Sequence, residues 1–295
     1  MTHRRAVWVM AAAALMWSIA GVVTRHVQSA QGFELSFWRS AFNALALALL
    51  LTWLRGPAVL ARAIAGGGRA LWVSGLCWCV MFTAFMVALT LTTVANVLVT
   101  MAIAPLLTAL AARIALGHRL AARTWAAICV AGIGIVWMYG QQLGTGDARH
   151  WLGTAVALAV PVAAAVNWTL LQHHRADPRS DMLPAVLIGA LLSAALTLPL
   201  AWPLATNRHD LALLALLGVV QLAIPCLMAV AAARVLAAPE VSLLALLEVL
   251  FGVVWAWLGA GEAPSPSVAG GGLLVLAALV ANEALALRRT VRAVP

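Results

Sequence analysis

A chain of 295 residues that is 64% hydrophobic and only 9% charged, with a mean hydropathy of +1.01, cannot cover a water-soluble domain. Such a domain needs about a quarter of its residues charged, so here the apolar excess must face lipid. The net charge of +9 does not point to nucleic acid: all 18 basic residues are arginines, set singly or in pairs between long apolar runs.

Crossing a hydrocarbon layer of roughly 30 Å takes about 20 apolar helical residues. The first run, 6–23, follows Thr2-His3-Arg4-Arg5 and so has the charge and apolar stretch of a signal peptide. More apolar helix follows it, so it reads as an uncleaved first span. The runs 35–54, 70–89, 94–112 and 124–139 come next, and a polar linker, 140–150, closes the first half. Beyond it lie 151–171, 183–204, 211–233, 241–258 and 268–287. Turn residues such as Gly56-Pro57 and Gly66-Gly67-Gly68 fill the short breaks. The expectation is an all-α integral membrane protein of about ten transmembrane helices.

With the N-terminus inside, inner segments carry 14 arginines and outer segments three, Arg25, Arg149 and Arg208, with Arg39 inside a span. The positive-inside rule then places both termini in the cytoplasm, in a multi-pass protein. Ten spans divide into two fives, 6–139 and 151–287. An odd number per half makes the second copy enter from the opposite side. An offset of 144 residues lays Val97 on Val241, Leu106 on Leu250, Ala112 on Ala256 and Gly117 on Gly261, and pairs His118 with Glu262. Two inverted five-helix repeats are a transporter architecture, with the solute site near the midplane between them.

Within 95–120, Pro105-Leu106 sits in mid-helix and Leu116-Gly117-His118-Arg119-Leu120 ends it. The stretch resembles the fourth-helix signature of the EamA domain of the drug/metabolite transporter (DMT) superfamily, which reads Leu-Gly-Glu-x-Leu; His118 departs from it. The second copy has Gly261-Glu262, and the family's mid-helix Glu-Pro stands as Glu248-Val249. Trp17-Ser18 and Arg39 also resemble family positions. The resemblance implies a secondary transporter of the bacterial inner (plasma) membrane, an exporter of amino acids or related metabolites, working by alternating access. No Gly-x-x-x-x-Gly-Lys-Ser/Thr run is present, so the expectation is no cofactor and an ion or solute gradient as energy source.

A charge at mid-membrane costs at least ~2.5–3.5 kcal/mol, so each one is a functional candidate. Glu248 lies 14 residues before Glu262, about 21 Å along a helix, and is the candidate for proton coupling. Its structural alternative is a protonated acid capping a neighbouring helix. Arg39 can hold a substrate carboxylate bidentately or snorkel to the headgroups. Asn96, Asn167, Gln221, Thr100 and Asn43 can line an aqueous cavity or join helices. Trp17, Trp78 and Trp168 lie deep enough to stack on a solute, whereas Trp8, Trp53, Trp72, Trp125, Trp137, Trp151 and Trp202 fit an aromatic belt. The expected cavity lies between helices one, three, four, six, eight and nine and includes Met101, with Pro105 and Pro225 as kinks that permit rocking.

Cys77, Cys79, Cys129 and Cys226 read as small hydrophobes, and the His173-His174 pair diverges on a helix, so no metal site is expected. The nine acids are scattered, which argues against the alternative of a membrane-embedded transferase and for a chain that is not an enzyme. A nucleotide-sugar or sugar-phosphate carrier, the other alternative, needs several buried cations, and Arg39 is the only one well inside a span. The expected partners are a small-molecule substrate and membrane lipids, with a monomer or homodimer equally open.

Overall fold

The computed structural model describes residues 1–24, 26–30, 32–92, 94–117, 121–139, 148–175, 177, 181–260 and 266–292. The His118 to Leu120 stretch, Gly261-Glu262, the linker 140–147 and the side chain of Asn96 lie outside them. Every regular element among the described residues is helical.

In the first half, α1 (His3–Trp17) and α2 (Ala20–Thr24) share the first apolar run, followed by α3 (Phe33–Arg55) and α5 (Arg69–Leu91). Between these, Gly56-Pro57 does more than turn the chain: Pro57 opens a short helix, α4 (Pro57–Ala65). A proline at the first helical position loses no hydrogen bond, because that N–H has no intrahelical acceptor. The half ends with α6 (Val94–Met101), α7 (Ala104–Leu116) and α8 (Ala122–Tyr139).

The second half repeats the order. α9 (Ala148–His174) and α10 (Pro184–Ala201) precede α11 (Arg208–Leu216), a π-helical segment (Leu217–Ala223) and α12 (Ile224–Ala233). Then come α13 (Ala238–Ala245), α14 (Leu247–Ala260) and α15 (Pro266–Arg292). Among the described residues six helices are long and apolar enough to cross a membrane: His3–Thr24, Phe33–Arg55, Arg69–Leu91, Ala148–His174, Pro184–Ala201 and Arg208–Ala233. Ala104–Leu116, Ala122–Trp137 and Ala269–Asn282 are apolar but shorter. Large apolar side chains such as Trp53, Ile114, Leu258 and Leu273 point outward, as a lipid-facing surface requires.

Packing is two-fold in pattern. α3 rests on α10 and α8 on α15, each pairing equivalent helices of the two halves, and α7 rests on α13. α5 against α9 is matched by α12 against α1, and α5 against α10 by the π segment against α3. Glycines set two of these approaches. A Cβ on Gly189 of α10 would stand 2.4 Å from Trp78 Cβ, and one on Gly218 would stand 2.6 Å from Phe42 Cβ and 2.7 Å from the Arg39 carbonyl oxygen.

Polar ties hold the helix ends. At one face the buried Asp210 carboxylate accepts from the backbone N–H groups of Gln28, Ser29 and Ala30 and from Ser29 Oγ. Glu34 accepts there from the backbone N–H groups of Ala205 and Thr206 at 2.8 and 2.9 Å. At the opposite face Asp181 pairs with Arg55 and, at 3.5 Å, with Arg234. Gln172 Oε1 accepts from the Ala238 N–H at 2.7 Å, capping the start of α13 from the end of α9.

Candidate functional site

Four interruptions in otherwise apolar helices meet at the centre of the bundle. α1 stops at Trp17 because the chain bends at Ser18. Ser18 Oγ donates to the Leu15 carbonyl at 2.6 Å and accepts from Trp255 Nε1 at 2.9 Å. The freed Trp17 carbonyl accepts from Gln221 Nε2 at 3.2 Å. Gln221 itself stands in the π segment just before Pro225, whose missing N–H leaves the helix free to widen there. The third interruption separates α6 from α7 at Ala102-Ile103, just before Pro105. Its counterpart in the second half, between α13 and α14, lies at Leu246, 144 residues on. Valine has replaced proline at 249, yet the break persists as a tight turn, with the N–H of Leu246 on the Leu243 carbonyl and that of Val249 on the Leu246 carbonyl, both at 3.1 Å.

These breaks surround a cavity of about 120 Å³. Trp17, Arg39, Trp78, Met101, Trp168, Gln221 and Glu248, all named from sequence, line it. Its wall follows the repeat at the same offset of 144: Trp17 faces it with Pro161, Trp78 with Leu222, and Phe82 with Cys226. Leu98 joins it with Ser242, Met101 with Ala245, and Ala104 with Glu248. The pseudo-two-fold axis therefore runs through the cavity.

Several sequence expectations change on contact with the structure. Arg39 does not snorkel: it is 3% exposed, and its guanidinium carbon lies 5.7 Å from the centroid of the Phe85 ring. Helix α3 thus joins the wall that the sequence assigned to other helices. Asn167 does not line the cavity. Its Oδ1 accepts from Ser74 Oγ at 2.6 Å and so ties α9 to α5. Asn43 is also buried away from the cavity. Cys129 is exposed on α8 rather than buried, whereas the other three cysteines are buried. Pro105 and Pro225 are buried just after helix breaks, at the positions where kinks were expected. Ser242, Phe82 and Phe85 line the cavity without having been expected. The signal for Ser242 was present, since it is the repeat partner of Leu98 beside Met101.

The wall is mostly apolar, and its polar atoms are unusual. Arg39 Nη1, Trp78 Nε1, Gln221 Oε1 and Ser242 Oγ are buried without a hydrogen-bond partner. A buried polar atom left unpaired costs about 1–3 kcal/mol, more when charged, so these four offer a ligand's polar groups unmet partners. Trp78 and Trp168 meet edge to face in the wall, with centroids 5.6 Å apart.

The cavity is closed unevenly. α13 packs on both α7 and α9. Their repeat counterparts, α6 with α14 and α6 with α1, make no comparable contact among the described residues. Among the described residues the α7–α13 end is therefore the more closely packed of the two.

Comparison with known proteins fits this geometry. Among curated proteins, none matches the sequence. One solved crystal structure superposes with a TM-score of 0.78 at 20% identity, covering 97% of this chain and 99% of that one, a likeness of fold. The model of the EamA-like transporter family matches twice, over residues 4–140 and 151–282. Matched in both its halves, the chain belongs to the EamA-like transporter family and is a multi-pass membrane protein of the DMT superfamily.

Proposed function

We propose that the protein is a secondary transporter of the bacterial inner membrane that exports amino acids or related small metabolites by alternating access. In this reading the two units, 6–139 and 151–287, form ten spans as inverted repeats with both termini in the cytoplasm. The interrupted helices count as spans because each continues through its break, as a transporter helix can where it lines a cavity. The observation that carries the reading is the cavity wall, in which six pairs of residues separated by one offset face the same space. Such a wall gives the solute two nearly equivalent exits, which is what rocking of one half against the other requires. Trp17, Trp78, Trp168, Met101, Gln221 and Arg39 bind the solute, and Glu248 carries the proton. Among the described residues Arg39 is the single cation in the wall, which does not suit a diphosphate or sugar phosphate. Metabolite profiles of medium and cells, with and without the expressed chain, test the proposal: the solute accumulates outside only when the protein is present. Profiles that do not differ would remove the exporter reading.

A further inference from the structure

Resting on that transporter reading, we infer that the cavity holds a zwitterionic amino acid in one orientation, its carboxylate on Arg39 and its ammonium on Glu248, so that proton and solute exclude each other at Glu248. Arg39 is buried, its Nη1 lacks a partner, and no carboxylate stands within ion-pair distance of it among the described residues. Glu248 is half-buried in the same wall and likewise has no cation at that distance. The two groups line one cavity and yet form no ion pair. A cavity that keeps one positive and one negative group apart is complementary to a ligand with the same two charges reversed. A simple anion would leave Glu248 uncompensated, and a simple cation would leave Arg39 so. The remaining wall, with Trp17, Trp78, Phe82, Phe85, Met101 and Trp168, suits an apolar or aromatic side chain. Gln221 Oε1 is a free acceptor for a second ammonium hydrogen.

The coupling follows. A proton on Glu248 removes the charge that holds the ammonium, so loading one partner unloads the other. That is antiport, and an inward proton gradient then drives amino acid outward. Few other titratable groups bear on Glu248. Arg39 and Cys226 lie within electrostatic reach. Of the helices packed on α14, α1 carries His3, Arg4 and Arg5, and α13 carries Glu240, all at the far ends, where His3 and Glu240 lie 3.6 Å apart; α2 carries none.

The test is binding to the purified protein by titration calorimetry across pH 5 to 8. The probes are the twenty proteinogenic L-amino acids, then the deamino and decarboxy derivatives of the tightest binder. The amino acid is expected to weaken on acidification, by up to about tenfold per pH unit, because one proton competes with it. The deamino acid is expected to show the opposite slope, since neutral Glu248 leaves Arg39 to the carboxylate alone. These opposite slopes need only the wild-type protein. Glu248→Gln should flatten both, and Arg39→Gln should weaken both ligands at least about tenfold. Slopes of the same sign, a decarboxy derivative that binds as well as the amino acid, or no binding by any of the twenty would overturn the proposal. A metabolite profile in which some other solute crosses would leave the transporter standing and the clamp refuted.

Discussion

Glu248 stands where the first half has Ala104, so nothing in the helix itself requires an acid there. Glu248→Gln preserves shape and hydrogen bonding while removing titration. Reconstituted into vesicles, the variant is expected to exchange solute for solute but not to accumulate it in response to a proton gradient. Proton-driven transport at the wild-type rate would make the residue structural. Asn167 marks the contrast. With Ser74 it serves packing, and Asn167→Ala should lower stability by about 1–3 kcal/mol, read as thermal melting in detergent, with solute affinity unchanged. Sequence could not separate these roles. Two amides in apolar helices look alike, and only rotation about the helix axis decides which one faces the cavity. Arg39 and Glu248 were legible because a charge in a span is costly wherever it points.

At the scale of the element, long apolar runs were read directly, and helix covers each of them in the described residues. Their interruptions were read only where proline marked them. Pro105 and Pro225 announced two, but the breaks at Ser18 and Leu246 depend on a side-chain hydroxyl and a tight turn that a hydropathy pattern does not contain. Glycine contacts were equally hidden. Gly189→Ala would press against Trp78, and Gly218→Ala against the α3 backbone beside Arg39. Each should cost about 1–3 kcal/mol of stability and also weaken solute binding, because the displaced residues line the cavity. Binding isotherms beside melting curves separate the two effects.

For the whole molecule, the repeat was legible from a handful of identities, and the structure extends it to cavity pairs that share no residue type, such as Trp17 with Pro161. The orientation prediction rests on 14 inner against three outer arginines: a reporter fused after Pro295 should read as cytoplasmic. The more loosely packed α6–α14 end would then face outward. Leu98→Cys, in a background with the native cysteines replaced by serine, should react with an impermeant thiol reagent added outside and be protected from reagent trapped inside.

The glutamine that caps α13 adds an energetic consequence. Gln172 has a repeat partner of its own type, Gln28, and the start of α6 at Val94 is the counterpart of Ala238. A duplicated chain of this kind behaves as a two-well system whose wells would be equal in depth if the copies were identical. Bonds without a counterpart in the other well set which one is populated, about tenfold per 1.4 kcal/mol. Gln172→Leu should therefore raise the share of molecules open at the α7–α13 end. Gln28→Leu should leave the present state intact and deplete the opposite one, slowing return of the carrier without touching the cavity. Opposite shifts in thiol protection at Leu98→Cys for the two variants are the expected signature, and equal shifts would show that the two glutamines do not exchange roles.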